Sequence, residues 1–147
     1  MHHVWDSEKP GAVIHFAALK AVSESVKNPL LYYRSNLESL LTVLETMQAN
    51  GGGKLVFSSS CTVYGEPDNC PVTEETPLKA AESPYGATKQ MCEHILKDTA
   101  NAEGLQTIAL RYFNPVAAHP SAKIGELPIG ALTRAHTPAY AGCSRLT

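Results

Sequence analysis

The sequence predicts an α/β fold, a partial Rossmann-like doubly wound parallel sheet, on three observations. Short apolar runs alternate with helical stretches in the order strand, helix, strand, helix, strand. Each helical stretch is long enough to carry the chain back over the sheet, which pairs successive strands in parallel through right-handed crossovers. Small polar residues then follow each apolar run directly, at the ends where such sheets place their ligands.

Ala12-Val13-Ile14-His15-Phe16 reads as a buried strand. Residues 25–47 read as helix, with Leu37, Leu40, Leu41 and Leu44 at three- and four-residue steps and Asn28 and Pro29 interrupting its start. Gly51-Gly52-Gly53 stops that helix, and Lys54-Leu55-Val56-Phe57-Ser58 forms a second strand. A loop rich in Pro, Glu and Thr covers 65–82. Ser83 is placed to cap the next helix, with Pro84 at its first position, where a missing N–H costs nothing. This helix runs to about Ala102, Gly104 ends it, and Thr107 to Tyr112 make the third strand. No internal repeat and no low-complexity segment interrupts the pattern.

The 147 residues suffice for one domain with a core, and 44% hydrophobic with 18% charged residues is an ordinary globular balance. A net charge of −2 without any Lys/Arg cluster argues against nucleic acid or a membrane surface as partner. The four cysteines, Cys61, Cys70, Cys92 and Cys143, show no C-x-x-C spacing, so neither a zinc site nor a redox pair is indicated. A reducing cytoplasm fits, although the even count leaves a disulfide open. The opening residues contain no apolar signal core, and no stretch is apolar enough to span a bilayer. The histidines, His2, His3, His15, His94, His119 and His136, have no ligand spacing, so no metal is expected; His15 reads as a structural hydrogen-bonding residue.

The segments beyond the strand ends are His15 to Ala18, Ser58 to Ser60, and Phe113 to Pro115. Any one of them alone is ordinary turn chemistry. Tyr85 and Lys89, however, stand four apart at a helix start and project from one face. A nearby ammonium favours the phenolate, so Lys89 is expected to lower the Tyr85 pKa and let the phenol take a proton from a hydroxyl. With six tyrosines, a Y-x-x-x-K arises by chance in about one such chain in four. Ser60 adds specificity: at the end of the preceding strand it borders the helix start that carries Tyr85, where its hydroxyl can orient a reacting alcohol.

Ser60, Tyr85 and Lys89 together resemble the catalytic set of the short-chain dehydrogenases. Four blocks narrow the resemblance to the UDP-glucose 4-epimerase family: Val13 to Val22 (V-I-H-F-A-A-L-K-A-V), Phe57 to Gly65 (F-S-S-S-C-T-V-Y-G), Ser83 to Lys89 (S-P-Y-G-A-T-K), and Arg111 to Pro115 (R-Y-F-N-P). Similarity continues through Ala118 to Ser121 and Ile124 to Glu126. The resemblance implies that Tyr85 is the general base and acid, that Lys89 holds the nicotinamide ribose of NAD, and that Ser60 bonds the sugar 4-hydroxyl. It also implies that Phe16, Ala17, Ala18, Leu19 and Lys20 pass along NAD, that Phe113 lies beside the nicotinamide, and that Asn114 meets the diphosphate of a UDP-sugar. The implied reaction interconverts UDP-galactose and UDP-glucose through a 4-keto sugar, in the cytoplasm and in a homodimer.

Departures from the family are as informative. Ser35-Asn36 stands where the family has two asparagines, so one cofactor contact differs. The first strands with their G-x-x-G-x-x-G loop and the substrate domain are absent, which makes residues 1–130 a partial epimerase/dehydratase domain and 131–147 a divergent tail. The fragment is therefore expected to be inactive alone. A 4,6-dehydratase needs an acidic pair directly after the serine, where this chain has Cys61 and Thr62. Other nucleotide-sugar epimerases share the mechanism, and a non-catalytic remnant is the alternative from another class.

Overall fold

A computed structural model describes residues 2–113, and local chemistry sets most of its element boundaries. In chain order these are α1 (His2–Glu8), β1 (Ala12–His15), α2 (Val22–Lys27), α3 (Pro29–Ala49), β2 (Lys54–Ser60), a 3-10 helix (Cys61–Tyr64), α4 (Pro84–Glu103) and β3 (Gln106–Tyr112). The stretch read as one helix over 25–47 is two. Pro29 has no N–H to extend α2, so it ends that helix and opens the first turn of α3. After α3, Gly51, Gly52 and Gly53 all take positive φ, and the Gly52 N–H turns back to the Met47 carbonyl at 2.8 Å. Helix α4 has both expected ends: Ser83 Oγ accepts the Gly86 N–H at 3.1 Å, and Gly104 closes the helix at φ 69°.

Helix α1 has no counterpart in the sequence pattern. Its seven residues have no apolar period, and it forms where Trp5 docks into the core, 8% exposed.

The three strands pair in parallel in the order β1-β2-β3. Register places Val13 beside Leu55 and Thr107, and His15 beside Phe57 and Ala109, on one face. Against that face pack Leu40, Val43, Leu44 and Met47 of α3 and Cys92 and Leu96 of α4, forming one core with Leu55 and Phe57. Alternation sends Ile14, Val56, Ile108, Leu110 and Tyr112 to the other face. Among the described residues no helix covers it, and Ile14 and Ile108 are 60% and 59% exposed.

Strand β1 is therefore not the buried strand expected: His15 alone of its residues is buried, because one face and one edge of the strand lack neighbours among the described residues. Strand direction and order match the doubly wound expectation, while α3 and α4 both pack on one face. The expected helical stripe shifts as well. Leu40 and Leu44 are buried, but Leu41 is 41% exposed, because the buried row runs through Tyr32, Asn36, Leu40, Val43 and Met47. No helix among the described residues is long and apolar enough to cross a membrane.

Candidate active site

Strand β2 runs directly into the 3-10 helix because Ser60 caps it. Its Oγ accepts the Thr62 N–H at 3.3 Å and the Thr62 hydroxyl at 3.0 Å. With both acceptor positions used, the Ser60 hydroxyl is left to donate. The Ser60 hydroxyl is among the groups that pull the Tyr85 pKa down, so the phenol lies within its reach.

Two glycines bring Tyr85 there. At Gly65, φ is 60° and an added Cβ would lie 2.5 Å from the Ala80 carbonyl oxygen, so only glycine lets the loop over 65–82 fold back on itself. At Gly86 an added Cβ would meet the Thr62 carbonyl at 3.2 Å, so its absence lets the first turn of α4 close on the 3-10 helix.

One turn further along α4, Lys89 is 3% exposed. Its ammonium donates to the Ser58 carbonyl at 2.7 Å and lies 4.8 Å from the Phe57 ring centroid and 5.8 Å from that of Tyr85. Burial lowers the Lys89 pKa, with Cys92 acting the other way. His15, paired with Phe57 across the strands, stacks on its ring at 5.9 Å and 16°. Burial and the Lys89 ammonium both lower its pKa. The role His15 displays is thus a packing one.

The electrostatics of Tyr85 differ from the expectation. Burial pushes the phenol above its ordinary pKa; the Ser60 hydroxyl and the Lys20 ammonium pull it down, and Cys61 adds to the rise. The Lys89 ammonium, held by the Ser58 carbonyl and the Phe57 ring, stands against the ring of Tyr85. Desolvation is the larger effect in this water-poor setting.

The segment after β1 borders the same end of the sheet. Phe16, Ala17 and Lys20 are exposed, Ala18 and Leu19 half-buried. Asn36, buried in α3, pins this segment: its Oδ1 accepts the Leu19 N–H at 2.8 Å, and its Nδ2 donates to the Leu19 carbonyl at 3.1 Å and to Thr88 Oγ1 at 3.2 Å. Asn36 is thus committed within the protein, and its neighbour in the departing pair, Ser35, is half-buried. Phe113 follows β3 and is 44% exposed. Asn114 lies outside the described residues.

Sequence reasoning missed a second layer. Ser59 Oγ donates to Glu93 at 2.5 Å, and Arg111 clasps the same carboxylate through Nε at 3.0 and 3.2 Å and Nη2 at 2.7 Å. Arg111 Nη1 reaches the Tyr64 hydroxyl at 3.1 Å. The Glu93 bonds raise the Arg111 pKa above its usual value. Part of this was visible, since Tyr85, Lys89 and Glu93 recur every four residues; the contribution of Arg111 depends on strand register. Among the described residues, no cluster of His, Cys, Asp and Glu could hold a metal ion.

Residues 1–141 match the sequence pattern of the family described as NAD dependent epimerase/dehydratase. The chain is 55% identical over 131 residues to a UDP-glucose 4-epimerase of Cyamopsis tetragonoloba, covering 88% of this chain and 37% of that protein. It is 55% identical over 120 residues to the UDP-glucose 4-epimerase of Bacillus subtilis, covering 81% and 35%. Among solved structures, the UDP-glucose 4-epimerase from Bifidobacterium longum in complex with NAD+ and UDP superposes with a TM-score of 0.84 at 47% identity, covering 88% of this chain and 39% of that one. The chain thus spans well under half the length of these relatives.

Proposed function

This chain belongs to the NAD dependent epimerase/dehydratase family, and we propose that its described residues form the proton-transfer part of a UDP-glucose 4-epimerase site, acting at the C4 hydroxyl of UDP-galactose or UDP-glucose. The observation that carries this reading is the Ser60 hydroxyl, whose acceptor positions are both taken by Thr62, so that its own proton is available for donation beside Tyr85.

Tyr85 takes the proton of the C4 hydroxyl and returns it to the opposite alcohol, while Ser60 donates its own proton to the C4 oxygen and so orients it. The residues present fit part of an NAD site. The Lys89 ammonium has N–H donors beyond the one given to Ser58, suited to a ribose diol, and the 16–20 segment offers exposed Phe16 and Lys20 at the strand ends. NAD, when bound, supplies the hydride acceptor and donor and a positive ring that offsets the raised phenol. Lys20 favours the phenolate from the protein side. We assign Phe113 to the nicotinamide side and Asn114 to the substrate diphosphate.

We assign residues 1–130 to a partial epimerase domain and 131–147 to a divergent tail, although the family pattern itself extends to residue 141. The complete enzyme is read as a cytoplasmic homodimer. A 4,6-dehydratase reading is disfavoured, because Thr62 is bonded to Ser60 and burial raises the Cys61 pKa, leaving a neutral thiol in place of an acidic pair.

The test restores the missing parts by grafting residues 11–130 into the Bacillus subtilis relative. In that chimera Tyr85→Phe is expected to lose about 10²–10⁴-fold in kcat with little change in affinity for UDP-galactose. Ser60→Ala falls less, and Lys20→Met moves the acid limb of the pH profile upward, because a cation favouring the phenolate is gone. Near-normal interconversion of UDP-galactose and UDP-glucose by Tyr85→Phe would refute the reading. The isolated chain contains no G-x-x-G-x-x-G and is expected to bind NAD weakly or not at all by calorimetry.

A further inference from the structure

Helix α4 meets the end of β2 at three rungs, each using a residue four further along the helix. Tyr85 faces the Ser60 hydroxyl, Lys89 holds the Ser58 carbonyl at 2.7 Å, and Glu93 accepts from Ser59 Oγ at 2.5 Å. Arg111 stands directly across from Ser59 in the β2–β3 register, which brings its guanidinium onto the same carboxylate at 2.7 Å. Its remaining arm reaches the Tyr64 hydroxyl at 3.1 Å, at the last residue of the 3-10 helix that Ser60 caps. Ser60 is thus held on both flanks, at Ser59 and at Tyr64, by bonds that meet at Glu93 and Arg111. The two charged side chains are only 11% and 23% exposed. A pair so desolvated is a weak source of net stability, so what its geometry supplies is position.

We propose that Glu93 is a positioning residue for the Ser60–Tyr85 pair, fixing Ser60 against the helix that carries Tyr85 through Ser59 on one side and through Arg111 and Tyr64 on the other. The proposal rests on the reading of Ser60 and Tyr85 given above, but its test requires no turnover.

The Tyr85 phenol is titrated by NMR in the whole 147-residue chain labelled at tyrosine Cζ, with Tyr85→Phe assigning the signal. The groups acting on that phenol are Ser60 and Lys20, which lower it, and Cys61, which raises it; Tyr32 interacts with it electrostatically and Lys89 lies against its ring. Glu93→Ala is expected to raise the midpoint by about one pH unit, as loss of one hydrogen bond to the phenolate requires. Ser60→Ala should raise it equally, and the double variant no further. The sign is diagnostic: removing a carboxylate and leaving Arg111 unpaired acts in the opposite direction, so charge alone lowers the midpoint. Ser59→Ala leaves the Glu93–Arg111 pair intact, and it decides the matter should Glu93→Ala not fold; a smaller rise is expected. Glu93→Gln keeps an acceptor for Ser59 and should show no rise. Midpoints unchanged or lowered in Glu93→Ala and Ser59→Ala, while Ser60→Ala raises its own, overturn the positioning role alone. No rise in Ser60→Ala removes the pair itself and overturns both readings.

Discussion

On one face of the sheet Phe57 lies under α3 and α4 with 1% of its surface exposed, whereas on the other face Ile108, one strand away and one register step back, is 59% exposed. Both are large apolar residues in the same parallel ladder. The difference teaches that apolar character decides which residues can be buried, and that only the neighbouring layer decides which are. The covered face also carries Ser59, Glu93 and Arg111, whose bonds need a protected setting. The open face carries Ile14, Val56, Leu110 and Tyr112, a layer without a partner among the described residues.

The largest expected effect breaks the covered face. Phe57→Ala removes a fully buried ring and should cost about 3–5 kcal/mol in urea unfolding, enough to unfold a marginal domain. Retention of near-wild-type stability would show that the core does not depend on that layer.

A smaller effect is pH-dependent. Tyr32 is buried, and burial and its bond to Glu24 at 2.7 Å push its pKa up to about 12. A phenol raised in the folded state keeps its proton there after the unfolded chain has released its own. The corresponding stability is present below pH ~10 and is lost as pH rises toward 12, by roughly 2–3 kcal/mol. Tyr32→Phe should flatten that alkaline decline in unfolding measured from pH 8 to 12, and an unchanged slope would refute the assignment.

The smallest effect tests the open face. Ile108→Ala should change stability by no more than about 0.5 kcal/mol in this chain. In the grafted chimera, where further layers are present, the same substitution should cost about 2–5 kcal/mol if that face becomes buried. Equal costs in the two settings would mean that the face stays open in the longer protein too.

The same contrast explains what could be read in advance. Helix α4 was legible to within a residue or two because Ser83, Pro84 and Gly104 set its ends through bonds to their own neighbours. The strands were legible for a similar reason, bounded by glycines and by short apolar runs. Helix α1 was not, since its existence depends on Trp5 reaching a core built by residues far along the chain. The exposure of Ile14 was equally invisible, because period-two alternation assigns a side chain to a face without saying whether that face is covered. In the candidate site, the four-residue spacing announced Tyr85 and Lys89. The bond that Lys89 gives to Ser58, and the Arg111 clasp on Glu93, depend on tertiary approach and sheet register and left no local mark.

The Asn36 clamp has a consequence in time as well as in space. Its side-chain amide offers Leu19 a donor and an acceptor together, as a neighbouring peptide group in a ladder does, although Leu19 belongs to no strand. The Leu19 amide proton is therefore tied to the opening of α3, and its exchange with solvent deuterium should follow the slow clock of that helix and not the fast one of a surface loop.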